Sequence, residues 1–213
     1  MLKDSDIREG LFSYLEDSYN KIRIFEEKTI GESRADVLMV MDSLVYGIEI
    51  KSDADSYTRL ESQIKDYDKY CDKNILVVGS THGQHAAEHI PEYWGIITVE
   101  ETENGLDFYK LREEKANPKL LLKNQLELLW RPEIAHIQEI NNLYKYSGKS
   151  KSFVREYILK NLEEDTLKKA ITDELFERDY TKIAEVINNY RTEHNQKKRR
   201  KRKYKKKKKG FIS

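Results

Sequence analysis

Two apolar runs, Ser33–Met41 and Leu44–Lys51, flank the pair Asp42-Ser43, and this arrangement constrains the fold more than any other stretch of the chain. Both runs are rich in strand formers, and a two-residue break of turn formers between such runs predicts an antiparallel β-hairpin. Side chains alternate faces along a strand, so Ile48 and Ile50 point to one side while Glu49 and Lys51 share the other. Asp36 stands on the first strand of the same hairpin. Charged groups rising from otherwise apolar strands are costly unless they pair or coordinate a cation. The plain account is a surface ion pair. The functional account, which we prefer, is a site that binds a divalent metal beside a phosphate.

The rest of the chain supplies an α/β frame for this hairpin. Asp4 or Ser5 can cap a first helix whose Ile7, Leu11, Tyr14 and Leu15 form one apolar stripe. Residues 21–27 read as extended and lead through Gly31 into the hairpin. After Lys51, Asp55 or Ser56 is expected to start a helix in which Leu60, Ile64, Tyr67 and Cys71 recur at helical spacing. Residues 74–80 and 94–99 read as buried strands and 105–111 as an edge strand. From Lys119 the pattern turns helical, over 120–130, 134–146, 152–162 and 165–190, the last broken near Asp179. The order helix, hairpin, helix, strand predicts an α/β core over 1–115, a helical subdomain over 116–192 and a disordered basic tail over 193–213.

Glu49-Ile50-Lys51 with the upstream Asp36 resembles the acid-plus-lysine signature of the PD-(D/E)XK phosphodiesterase superfamily, although Ala35 stands where the signature has proline. More closely, Arg34-Ala35-Asp36-Val37, Gly47-Ile48-Glu49-Ile50-Lys51-Ser52-Asp53, Arg59-Leu60, Gln63 with Tyr67, and Leu129-Trp130-Arg131 look like one branch of that superfamily. That branch consists of small bacterial and phage proteins near the MmcB-like DNA repair proteins, and the likeness ends before the tail. The resemblance implies a restriction-endonuclease-like core and a nuclease that uses Mg²⁺, with Mn²⁺ able to substitute. It implies a phosphodiester substrate in DNA. It also implies an acid near the Gly31 turn, for which Glu27 is favoured over Glu9, and a Gln at position 63 that holds the hairpin or touches the DNA backbone.

The chemistry agrees with those residue types. Phosphodiester hydrolysis needs a polarised phosphoryl oxygen, an activated water and stabilisation of developing charge. Mg²⁺ takes hard oxygen ligands and keeps several waters. Asp36 and Glu49 can supply carboxylates, the Ile50 carbonyl a third ligand, and Lys51 can position the water or offset charge. Arg59, Gln63 and Tyr67 fall at four-residue steps along one side of a helix; Arg59 is a candidate backbone contact, and Tyr67 is equally a core residue. His82, His85 and His89 also have helical spacing. Their segment is polar, contains Gly83 and lacks a fourth ligand, so a solvated helix is the better account than a Zn²⁺ site. Trp130, beside Leu128 and Leu129, reads as core.

Composition matters chiefly through its asymmetry. The formal net charge is +1, yet Lys197, Lys198, Arg199, Arg200, Lys201, Arg202, Lys203, Lys205, Lys206, Lys207, Lys208 and Lys209 lie together at the end of the chain. With those twelve set aside, 27 of the 39 basic groups face 38 acids, a net charge near −11. The tail cannot bury an apolar face and is expected to bind nucleic acid through counterion release, without sequence preference. Cys71 is the only cysteine, no run approaches a membrane span, and the N-terminus lacks a signal core. The expectation is a cytoplasmic protein with no membrane partner. The competing expectation is a non-catalytic nucleic-acid-binding or partner-binding module that retains the nuclease fold.

Overall fold

The computed structural model describes residues 4–52, 55–79, 83, 85–146, 148–179, 189 and 192. Its centre is one six-stranded sheet in chain order: β1 Arg23–Ile30, β2 Ser33–Met41, β3 Leu44–Lys51, β4 Lys73–Gly79, β5 Gly95–Thr102 and β6 Gly105–Arg112. β1, β2 and β3 run as an antiparallel meander, β3, β4 and β5 are parallel, and β6 returns antiparallel. Parallel neighbours require a crossover. Helix α2, Leu60–Tyr70, supplies it between β3 and β4, and the short α3, Ala86–His89, lies between β4 and β5.

The alternation expected for the hairpin is the alternation found. Val37, Met39, Ile48 and Ile50 face Ile7, Leu11 and Leu15 of α1, Asp4–Ser18. Leu38, Val40 and Val45 face the other way, into a larger core with Leu60, Ile64 and Tyr67 of α2. That core is closed by α5, Arg131–Ile140, α6, Lys151–Asn161, and α7, Glu164–Phe176, through Ile134, Ile137, Val154, Ile158, Leu167 and Ile171. The protein is therefore α/β; among the described residues of Met1–Phe176, α1 covers one face of the sheet and α2, α5, α6 and α7 pack on the second. The hairpin turn is pinned from far along the chain: Ser43, at φ +60°, donates its backbone N–H to Thr172 Oγ1 at 3.0 Å.

Three elements depart from expectation. The helix after Lys51 begins at Leu60, behind a 3₁₀ turn over Tyr57–Arg59. Asp55 is diverted: its carboxylate accepts the Ser52 N–H at 2.9 Å and the Ser52 hydroxyl at 2.7 Å. Such local bonds compete with helix initiation. The expected 120–130 helix is a single turn, α4 Leu122–Gln125, and then a 3₁₀ turn, because Leu121 N–H is bonded to Lys69 O and Gln125 is drawn to Asp72. The expected 134–146 helix starts at Arg131 and stops at Asn141, before Asn142 at φ +54°. The chain divides into two compact units, Met1–Phe176 and Glu177–Ser213, so the expected boundary at 115/116 falls inside the first. Among the described residues no helix is long and apolar enough to cross a membrane.

Beyond Tyr67, α2 leads into a buried polar knot. Asp68 Oδ1 accepts from Trp94 Nε1 at 3.0 Å and Asn74 Nδ2 at 3.3 Å, and its Oδ2 accepts from the Tyr93 hydroxyl at 2.6 Å and Lys119 Nζ at 3.3 Å. Asp72 Oδ2 accepts from Val45 N–H at 2.9 Å and Gln125 Nε2 at 2.7 Å, with Lys168 at 3.5 Å from its other oxygen. Asn117 Nδ2 donates to the carbonyls of Asp68 and Cys71. Strands, α2 and the later helices are tied together here.

Candidate active site at the hairpin

The backbone pairing of β2 with β3 runs out at Val37↔Ile48. Past that point the Asp36 carboxylate replaces a main-chain acceptor, its Oδ2 receiving the Ile50 N–H at 2.9 Å. The two strands thus part while Asp36 and Glu49 stay on the same side of the sheet, beneath α2. Gly47 allows α2 to come this close. A Cβ there would lie 2.4 Å from Tyr67 Cδ1 and 2.7 Å from Cys71 Sγ, which only glycine avoids.

Glu49, 1% exposed, is held from three directions. Its Oε1 accepts from Lys51 Nζ at 2.5 Å and from Gln63 Nε2 at 2.5 Å; its Oε2 accepts from the Tyr67 hydroxyl at 2.7 Å. Lys51 Nζ also donates to Gln63 Oε1 at 3.2 Å, so the amide bridges acid and ammonium. The Tyr67 hydroxyl accepts the Asp36 N–H at 3.1 Å and lies 3.1 Å from the Ile48 carbonyl. Burial, and then the charges of Glu49 and Asp36, push the Tyr67 pKa well above its usual value. It remains a donor throughout the physiological range.

The outer part of the site alternates acids with guanidinium groups. Arg8 of α1 lies 3.3 Å from Asp36 Oδ1 and 2.6 Å from Glu27 Oε1, and Arg34 Nε lies 2.5 Å from Glu27 Oε2. Glu27 sits at φ +52° in the middle of β1, between the pairs Glu26↔Val37 and Lys28↔Ala35. A non-glycine residue held in that region within a strand is strained, and such strain gathers at functional sites. A cleft of about 580 Å³ opens over these groups.

Asp36, Glu49, Ile50, Lys51, Gln63, Glu27 and Arg59 all line this one cleft. Glu9 is exposed and does not line it; its neighbour Arg8 does. Arg8 went unread because a helical arginine carries no sign of meeting an acid 28 positions later. His85 pairs with Glu88, and His89 stacks on Tyr57 at 4.2 Å, both away from the cleft lining. His82 and the tail residues 197–209 lie outside the described residues. Leu128 and Leu129 are buried as expected, while Trp130 is half-buried, with Lys28 Nζ 5.7 Å from its ring centre.

Among the described residues no group of three or more His, Cys, Asp or Glu side chains is arranged to hold a metal. What the cleft offers is two hairpin carboxylates with no thiol or imidazole in its lining. That hard-oxygen donor set suits Mg²⁺ or Mn²⁺ rather than Zn²⁺.

Fold and site together define an α/β protein with a carboxylate and lysine cleft at the open end of a β-hairpin. The chain belongs to the family of the bacteriophage P4 protein cII, whose model matches residues 2–208. No curated protein matches it. Among solved structures it is similar to the SPO1766 protein of unknown function from Silicibacter pomeroyi. That match has 16% identity and a TM-score of 0.46, and covers 70% of this chain and 99% of the other. It is also similar to Pyrococcus furiosus SfsA in complex with Ca²⁺, at 18% identity and TM-score 0.35, covering 52% of this chain and 64% of the other.

Proposed function

We propose that the cleft hydrolyses phosphodiester bonds in DNA, in the manner of a PD-(D/E)XK nuclease of the cytoplasm. The observation that carries this reading is the convergence of Asp36, Glu49, Lys51 and Gln63 on one face of an open cleft. Asp36, Glu49 and the Ile50 carbonyl would hold Mg²⁺ or Mn²⁺, which when bound supplies Lewis acidity toward a phosphoryl oxygen. Glu49 has three donors on a carboxylate with about four acceptor positions, so it retains capacity for a further partner.

Each neighbouring side chain then has a task. Lys51 presents an ammonium to a water or to phosphate oxygens, and Gln63 fixes its direction. Tyr67 holds the Glu49 carboxylate in one rotamer. Arg8 and Arg34 neutralise the acids next to the backbone path, which an acidic body otherwise repels, and Arg59 at the cleft supplies a phosphate contact. The arm at 197–209 would raise DNA occupancy while contributing nothing to the chemistry.

A plasmid cleavage assay tests the proposal. The parent protein should cut with Mg²⁺ or Mn²⁺ and stop on chelation, and Asp36→Ala, Glu49→Gln or Lys51→Ala should each lower the rate by about 10³-fold. A second reading has an observation behind it: Arg8 and Arg34 already offset Asp36 and Glu27, which suits a non-catalytic nucleic-acid-binding module. Tight DNA binding by a parent protein that never cuts with either metal would favour that module.

A further inference from the structure

A patch of rings and cations on the helical side of the molecule has no role in the cleft. Residues 143–160 carry five Lys or Arg against one acid; Lys145 and Arg155 pair with Glu139 and Glu127 outside the stretch, and Lys149 stands beside the rings. Within this stretch Tyr146 is a hub. Its ring meets Tyr144 at 4.7 Å, Phe153 at 5.0 Å and Tyr157 at 5.0 Å, each edge to face. Tyr146 and Tyr157 are half-buried and pack the loop onto α6, with the Tyr157 hydroxyl accepting the Tyr144 N–H. Tyr144 and Phe153 are different: they are 67% and 40% exposed. Two outward rings fixed on a third gain little from folding, and exposed aromatic clusters mark interaction surfaces.

The cations set the kind of partner. Lys149 Nζ stands 5.1 Å from the Phe153 ring centre, and Arg131 donates to the Lys149 carbonyl at 2.8 Å. Neither side chain has an acidic partner among the described residues. Arg131 follows Trp130, whose ring carries Lys28, and Lys28 is adjacent to Glu27 of the cleft. Contacts and chain neighbours thus link the patch to Lys28, which follows Glu27 in β1.

We infer that Tyr144 and Phe153, flanked by Lys149 and Arg131, form a stacking platform for single-stranded nucleic acid that leads a strand toward the cleft. Every base offers a π-face to a ring, while lysine and arginine follow the phosphates without reading sequence. A duplex keeps its bases stacked on one another and cannot use the rings. The use of the platform rests on the nuclease reading; its binding does not.

The test measures affinity of the full chain, in chelator, for labelled oligo(dT), oligo(U) and a duplex of equal length, at raised salt where binding by the lysine arm fades first. Tyr144→Ala with Phe153→Ala should weaken single-strand binding by about a hundredfold, tenfold per ring, with the salt slope unchanged. Duplex binding should stay within about twofold. Tyr144→Phe with Phe153→Tyr keeps both ring faces and should bind like the parent. Lys149→Ala with Arg131→Ala should flatten the single-strand salt slope by about 1.4, or 0.7 for each phosphate no longer neutralised. A greater loss on oligo(U) than on oligo(dT) would assign the platform to RNA, and the reverse to DNA. Parent-like oligonucleotide affinity in the ring-less variant overturns the inference, as does an equal loss for duplex and single strand. Because no metal is present, failure of the cleavage proposal leaves these outcomes readable.

Discussion

Tyr67 and Asp68 are adjacent in α2, yet they serve two buried polar clusters that differ in kind. Tyr67 reaches Glu49, which has three donors and lies against an open cleft. Asp68 has four donors, two on each oxygen, and with Asp72 it fastens α2 to the strands and to the segments that follow the sheet. A carboxylate has about four acceptor positions, so Asp68 is saturated and Glu49 is not. Burial of charge is common to both clusters and distinguishes neither. The vacant acceptor position and the open side mark the candidate site.

The contrast can be broken most decisively at Asp68. Asp68→Ala leaves the Trp94 indole, Asn74 and Tyr93 with buried polar groups to satisfy, and unfolding by urea should show a loss of about 3 kcal/mol or more. If that variant melted with the parent, the knot would be dispensable and the division between the clusters would fail. A smaller loss, about 2 kcal/mol, is expected of Gly47→Ala, because its Cβ overpacks against Tyr67 and Cys71. Since the relief pushes α2 away from β3, cleavage should fall with it, and full activity in a destabilised Gly47→Ala protein would separate α2 placement from the site.

Glu49→Gln keeps the shape and most of the hydrogen bonds, so its stability should remain within about 1 kcal/mol of the parent while Mg²⁺-dependent cutting disappears. A large drop in melting temperature would move Glu49 to the structural side of the comparison. The smallest effect concerns pH. Tyr67 has a folded pKa raised above its unfolded value near 10, so both states are protonated below that pH and stability there is independent of this group. Above it the unfolded state loses the proton first, and stability falls as pH rises toward the folded pKa, by up to about 1.4 kcal/mol per pH unit. Tyr67→Phe should be less stable than the parent at neutral pH, and the gap should narrow above pH 10. A constant gap would mean that the hydroxyl titrates as it does in the unfolded chain.

Much of this was legible in advance. The hairpin strands Ser33–Met41 and Leu44–Lys51 begin and end where the alternation places them, because β-formers, a short turn and strict two-residue periodicity agree there. The gathering of Asp36, Glu49, Lys51 and Gln63 followed from the same periodicity and from the family resemblance. Arg8 and the Asp68 and Asp72 knot did not, since each depends on which distant segments meet, and lone charged residues are abundant in a chain that is 36% charged. Helix ends failed where a side chain outbid the helix for a backbone group, as Asp55 does at Ser52.

The bond from Ser43 to Thr172 also has a bearing on the order in which the protein is made. It spans 129 positions, whereas the polar contacts of the cleft span 2 at Lys51 to Glu49, 18 at Tyr67 to Glu49 and 28 at Arg8 to Asp36. Short spans close at less entropic cost than long ones. During synthesis the residues of the cleft emerge together, while the partner that secures the far end of their hairpin follows Ser43 by 129 positions. Folding is expected to spread from the cleft toward α7, with the nascent hairpin held at one end only until Thr172 has been made.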